Sequence, residues 1–266
     1  MKRDLDQSLR ERALLENERF LILDKPAGFE TIVREGGDAR LCLTARLRRL
    51  WKNPALAPVH RLDRDTTGCL LFAKGKEWQK PLEALFRSRA LRKEYLGLCL
   101  GDFPNPAGAI RRRLSDWAGG RRPVRVVKGR DGFEAVTEYA VLDTGSLRPA
   151  RADGKTEPPK EGGPGPLRAS LVLFRPLTGR THQIRAHAAA LGRSLLGDHQ
   201  YGDRPANRAV KAVAGLSRQA LHAWRIAFSD PATGEEVRAE APLPGDLCRA
   251  AALFMPAYAS RLPPWE

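Results

Sequence analysis

The chain is short of cysteine and histidine and lacks any long apolar run, and each shortage excludes something. Its four cysteines, Cys42, Cys69, Cys99 and Cys248, are far apart and form no Cys-x-x-Cys pair. Neither a zinc site nor a redox motif is indicated, and buried free thiols are expected. Among five histidines, His182 and His187 lie five positions apart, off the i, i+4 spacing of a helical metal pair. No bound metal is expected. No apolar stretch approaches the roughly 18 residues of a membrane span. The basic start Met1-Lys2-Arg3 leads into no apolar segment that could act as a secretory signal. The expectation is a soluble, cytoplasmic, monomeric protein without a membrane partner.

Positive charge is what the chain has in excess. Lys and Arg number 46 against 31 Asp and Glu, a formal net charge of +15, and 35 of the 46 are arginine. The planar guanidinium fork suits phosphate. A skew toward arginine and alanine can also follow from genome base composition, and a high pI says nothing about fold. Clustering favours the functional reading: Arg111, Arg112, Arg113, Arg121, Arg122, Arg125, Lys128 and Arg130 fall within one stretch, and grouped cations track a phosphate backbone better than scattered ones. A nucleic acid partner is expected. With 266 residues, 42% of them hydrophobic, the chain can bury a core without disulfides.

Residues 5–16 carry Leu5, Leu9, Ala13 and Leu14, a weak helical stripe ahead of the strand-like Phe20-Leu21-Ile22-Leu23 and a Lys25-Pro26-Ala27-Gly28 turn. Residues 1–14 are read as an N-terminal extension and 15–266 as one domain. Leu43, Leu47, Leu50 and Trp51 share a helical face over 41–51. Trp78, Leu82, Leu85 and Phe86 predict a helix over 76–89, with Pro81 no more than a turn from its start. Strands are expected at Cys69–Ala73, Tyr95–Leu100, Glu134–Leu142, Ala169–Phe174 and Leu221–Phe228, the last forming a hairpin with Glu236–Ala241. The run 145–167 is rich in Gly and Pro and too poor in apolar residues to offset its ordering entropy. It is read as a flexible insertion in a long hairpin. The class is α+β.

Three segments carry chemistry. In His60-Arg61-Leu62-Asp63-Arg64-Asp65-Thr66-Thr67-Gly68, a carboxylate flanked by arginines precedes a buried strand. Asp63 is placed to act ionised, as nucleophile or electrostatic stabiliser; a plain surface turn is the alternative. In an extended chain Asp65 would share its face. Tyr95, in Lys93-Glu94-Tyr95-Leu96-Gly97-Leu98-Cys99, is either a core residue or a stacking surface for a base. In Thr178-Gly179-Arg180-Thr181-His182-Gln183-Ile184-Arg185-Ala186-His187 a turn enters a helix, read as capped by Thr181. Arg180 and Arg185 at such an N-terminus make an anion site, and Arg185 could hold Asp63 through both carboxylate oxygens.

Those segments, with Gly192–Gly202, Leu221-His222-Ala223-Trp224, the entering Leu23–Gly28 and the closing Asp230–Gly234 and Ala241–Pro244, resemble in order and spacing the motifs of RluA-type RNA pseudouridine synthases over residues 18–245. The resemblance implies a catalytic domain on a bent, mainly antiparallel mixed sheet with flanking helices and a central cleft. It implies detachment of uracil at N1 and reattachment through C5 in structured ribosomal or transfer RNA, without metal, nucleotide or organic cofactor. It makes Asp63 the essential carboxylate, Tyr95 the aromatic against the base, and Arg185 the partner of Asp63. Arg61, Arg180, His182 and Gln183, in the same motifs, are expected to bind substrate. Thr67, Ala186 and Ser194 depart from the usual Ser, Val and Pro. No small RNA-binding domain is seen before residue 15, so grip on RNA is expected from the catalytic domain. A noncatalytic RNA-binding or ribosome-assembly protein uses the same cleft in a second reading, and a hydrolase using Asp63 and Asp65 is a third.

Overall fold

A computed structural model describes the chain except Met1, residues 34–37, 117–122, Arg130, 148–165 and Glu266, and the side chains of residues 2–5. In chain order come α1 (Lys2–Glu11), β1 (Ala13–Glu16), β2 (Phe20–Lys25), α2 (Leu43–Leu50), β3 (Ala57–Pro58), β4 (Thr67–Ala73), α3 (Lys76–Arg87) and β5 (Arg92–Leu100). They are followed by β6 (Ala107–Leu114), β7 (Val126–Val127), β8 (Phe133–Leu147), β9 (Leu167–Pro176), α4 (Gln183–Ala190) and α5 (Arg204–Ala214). Last come β10 (Leu221–Ser229), β11 (Glu236–Glu240) and α6 (Gly245–Phe254). The chain is α+β with mainly antiparallel pairing, and it divides into two compact units, Met1–Tyr95 with His222–Leu243, and Leu96–Leu221 with Pro244–Glu266.

In the first unit β2 runs antiparallel to β4, Phe20 opposite Ala73 and Lys25 opposite Gly68, while β10 joins β4 in parallel through His222 and Ala223. β10 and β11 form the expected hairpin. Side chains alternate on a strand, so Phe20, Ile22, Cys69, Leu71, Ala73, Ile226 and Phe228 line one face. Leu82, Trp78, Leu85 and Phe86 of α3 pack onto it. The opposite-face Leu21, Leu23, Leu70 and Phe72 are buried as well. Two expectations change. The helical stripe over 5–16 breaks at Glu11, and Ala13–Glu16 pairs with β2, its β-strand competing successfully with helix continuation. Residues 1–14 thus hold α1, whose Leu9 is fully buried, and the start of β1. Pro81 lies in the second turn of α3, which begins five residues before it; the missing N–H costs only one internal bond there.

In the second unit β8 is central, antiparallel to β6 on one side and β9 on the other. The insertion expected over 145–167 is narrower than that: Gly145, Ser146 and Leu147 are the last residues of β8 and Leu167 the first of β9, and Leu147 pairs with Leu167 to close a hairpin; residues 148–165 lie outside those described. Ala186 of α4 packs against Leu114, Val124 and Ala135. Among small side chains the helix comes close to the β6–β8 face, which sets the position of Arg185.

Candidate active site

The segment before β4 is not extended. Thr66 N–H donates to the Asp63 carbonyl at 3.1 Å, closing a turn, so the same-face argument for Asp63 and Asp65 does not apply. The turn is clamped from beneath by Lys25, which is fully buried at the end of β2. Its ammonium donates to the carbonyls of Arg64 (2.8 Å), Thr66 (2.9 Å) and Pro26 (3.0 Å). Gly28 N–H reaches the Arg64 carbonyl at 3.0 Å, and Thr31 hydrogen-bonds both the N–H and the carbonyl of Leu62. At the far end the Thr67 hydroxyl meets His222 Nδ1 at 2.8 Å. His222 Nε2 lies 3.2 Å from the Ala241 carbonyl, which can only accept, so Nε2 carries the proton and Nδ1 accepts from Thr67. Gly68, at φ +106°, lets β4 approach β10: a Cβ there would sit 2.1 Å from the Ala223 carbonyl oxygen. Asp63 and Asp65 are half-buried on this fixed turn, with Arg61 and Arg64 exposed beside them.

Tyr95 on β5 is buried. Burial first, and then the negative charge of Asp63, push its phenol pKa up. Asp63 and Tyr95 are therefore electrostatic neighbours, and the phenol stays protonated. Beside them on the strand, Lys93 holds Nζ 4.1 Å from the Phe86 ring centre, and Phe86 stacks on His60 at 5.6 Å. His60 Nε2 accepts from Leu71 N–H at 3.2 Å. Burial lowers Lys93 to about 8; burial and Lys93 lower His60 to about 3. His60 is a neutral anchor for the strand that follows Asp63.

Arg185 belongs to the second unit. Its Nε and Nη2 donate to the two oxygens of Asp198 at 2.7 and 3.0 Å, and Nη2 reaches Gln200 Oε1 at 3.4 Å. Asp198 is fully buried. Burial works against its charge, but Arg185 and the amides of Gln200 and Tyr201 outweigh it, and the carboxyl pKa is lowered. The Arg185 guanidinium also lies over the Tyr201 ring at 5.0 Å. Tyr201 meets His182 Nδ1 through its hydroxyl at 3.0 Å.

The helix start differs from expectation. The cap of α4 is His182 at φ +55°, not Thr181, and no side chain caps it. Gln183, expected on substrate, has its amide engaged within the protein: Oε1 accepts from the Thr178 hydroxyl and Arg180 N–H, and Nε2 donates to the Val136 carbonyl and Thr137 Oγ1. It fixes the 178–183 turn. Arg180 is exposed, over the Phe133 ring at 5.0 Å, with Nε on the Glu134 carbonyl. Arg180 and Arg185 thus have separate partners rather than forming one anion site. Of the basic cluster, Arg111, Arg112, Arg125 and Lys128 are exposed, whereas Arg121, Arg122 and Arg130 lie outside the described residues.

Cys42, Cys69 and Cys99 are buried free thiols as expected, while Cys248 is half-exposed. The sequence does not single out Lys25, Asp198 or the Thr67–His222 pair, which hold the Asp63 turn, Arg185 and the end of that turn in place. Each stands inside a motif, but nothing in the local pattern tells which distant group it holds. Among the described residues no helix is long and apolar enough to cross a membrane.

A model of the RNA pseudouridylate synthase family matches residues 19–190. The ribosomal large subunit pseudouridine synthase D of Nitrosomonas europaea is 34% identical over 244 residues, covering 89% of this chain and 63% of that protein. The corresponding synthase C of Escherichia coli K12 is 34% identical over 240 residues, covering 89% and 67%. The chain thus spans about two thirds of the length of these relatives. Among solved structures, human RNA pseudouridylate synthase domain containing 4 superposes with a TM-score of 0.68 at 23% identity, covering 94% of this chain and 95% of that one. Human RNA pseudouridylate synthase domain containing 1 gives 0.67 at 24%, covering 91% and 86%. At that identity the two structures establish the fold.

Proposed function

Since the chain belongs to the RNA pseudouridylate synthase family, we propose that it isomerises chosen uridines of structured RNA to pseudouridine. Ribosomal RNA is the first substrate to test, because two relatives are named for the large ribosomal subunit; transfer RNA is the second. The observation that carries the reading is a half-buried carboxylate, Asp63, on a turn clamped by a buried ammonium, with its negative charge felt by a buried phenol, Tyr95. A preorganised charge of this kind lowers the barrier to bond breaking at a sugar carbon.

In the proposed reaction the N1–C1′ bond breaks, the uracil turns, a C5–C1′ bond forms, the C5 proton leaves and N1 gains one. Asp63 either adds to C1′ and leaves again as the C5–C1′ bond forms, or takes the C2′ proton and returns it to C2′ as that bond forms, and a deuterium isotope effect at C2′ separates the routes. Because Tyr95 is held protonated, water is the better acceptor for the C5 proton, and Tyr95 packs against the base. Arg185, steadied by Asp198, is assigned as the guanidinium partner of Asp63. Arg61 and Arg180 are assigned to phosphate, and His182, through Tyr201, to the same surface. The target base leaves its stack before it reacts. The proposed setting is the cytoplasm, the proposed state a monomer, and no metal or organic cofactor takes part.

The test is a map of pseudouridine across total RNA with and without the gene, repeated with Asp63→Asn. A site lost in both strains supports the reading. An unchanged map while the protein is expressed overturns it, and free uracil in solution would favour a hydrolase instead.

A further inference from the structure

Among the described residues Phe133 is the one aromatic in the set of exposed large apolar side chains, 46% accessible at the first position of β8. A single exposed apolar side chain is ordinary on a protein surface, so what surrounds it decides its meaning. Gly132 precedes it at φ +67°, where a Cβ would lie 2.2 Å from the Leu114 carbonyl oxygen, and this fixes the turn that presents the ring. Arg180 sits over the ring at 5.0 Å and is held there by the Glu134 carbonyl. Arg113 braces the same turn through the carbonyls of Asp131 (2.8 Å) and Gly132 (2.6 Å), with its remaining reach on the Glu134 carboxylate at 3.3 Å. Asp131 and Glu134 are the acidic groups nearby, and exposed Arg112, Arg125 and Lys128 add positive charge on the neighbouring strands and turn.

A flat apolar ring beside a guanidinium, in basic surroundings, matches the chemistry of an unpaired nucleobase and its phosphate. The Arg180 N–H is bonded to Gln183 Oε1 at 3.0 Å, so the ring's cationic cover and the start of α4 move as one piece. Arg180 is five residues before Arg185, which limits their Cα separation to about 18 Å. We propose that Phe133, covered by Arg180, is a stacking platform for an unpaired base of the bound RNA. This rests on the RNA reading above and names a contact that the reaction chemistry does not require.

Two variants test it. Phe133→Leu keeps an apolar side chain and removes the π face; its KM for total RNA from a strain lacking the gene should rise about tenfold, with the effect in KM rather than kcat and the thermal midpoint unchanged. An unchanged KM overturns the proposal. Phe133→Trp supplies a reporter, read against the signal of the five native tryptophans. An oligouridylate should quench it, and an abasic strand of equal length and charge should not. Equal quenching by both strands reduces the platform to a phosphate contact, no quenching by either leaves the ring to a protein partner, and both results overturn base stacking. If wild type makes no pseudouridine but the oligouridylate still quenches, the catalytic assignment fails while the platform stands.

Discussion

Asp198 takes both Nε and Nη2 of Arg185, at 2.7 and 3.0 Å, with the carboxylate fully buried and the guanidinium nearly so. A planar fork held along one edge by a fixed carboxylate has lost the freedom to rotate, which makes it a preorganised donor rather than a mobile surface cation. The position of Arg185 is therefore set from behind by a residue with no chemistry of its own.

Asp198→Asn keeps the shape and removes the charge. Breaking a buried ion pair from one side costs about 3 to 5 kcal/mol, so urea unfolding should show a loss of that order. Because a misplaced catalytic group can cost about 10²-fold, kcat on RNA should fall further than KM rises. A variant with wild-type kcat would remove Asp198 from the machinery.

The two central side chains separate by kind of loss. Asp63→Asn should lower pseudouridine formation by at least about 10⁴-fold, the scale of losing a nucleophile or its base, while RNA retention on a filter stays near wild type. Tyr95→Phe keeps the ring and removes the hydroxyl. If water accepts the C5 proton, its loss stays below about 10²-fold; a larger drop in single-turnover rate would assign the proton to the phenol.

From its fully buried position Lys25 bonds the carbonyls of Pro26, Arg64 and Thr66, and the Arg64 carbonyl also accepts from Gly28 N–H. Lys25→Met should cost about 2 to 4 kcal/mol, as unpaired buried carbonyls cost about 1 to 3 kcal/mol each and part of the loss relaxes. Activity should fall with it, since the Asp63 turn loses its clamp. Chemical denaturation beside a turnover assay on the folded fraction distinguishes the two effects.

Much of this was readable in the sequence, and the division is physical. α3 follows from its 3.6-residue periodicity, whereas β4 and β10, buried on both faces, follow from continuous apolar runs of strand length, with the Asp230–Gly234 turn marking the hairpin to β11. Asp63 and Tyr95 are conspicuous, a carboxylate before an apolar strand and an aromatic among small residues. The partners that position them are not, because a contact such as Lys25 to the Thr66 carbonyl spans 41 residues and depends on register. The same holds for Arg185, whose observed carboxylate partner lies 13 residues on, past the end of its helix. The His182 cap escaped notice because a left-handed non-glycine residue leaves no sequence pattern.

Acid should destabilise the fold through its buried histidines. Burial lowers His60 to about 3 and His187 to about 4, the second also bonded to Thr137 at 2.9 Å. An unfolded histidine titrates near 6.5, so between those values the unfolded chain binds more protons than the folded one. The stabilisation is complete above about pH 6.5 and is lost as pH falls toward the folded values, with a slope of about 1.4 kcal/mol per pH unit for each ring. Unfolding free energy in urea should therefore drop from about pH 6.5 to about pH 5 roughly twice as steeply as one histidine allows. His187→Asn, with an amide small enough for the site, should remove about half that slope. A slope that survives the substitution undiminished would overturn the assignment to His187, and Asp198 could not account for it, because its lowered pKa confines its own loss to more acidic conditions.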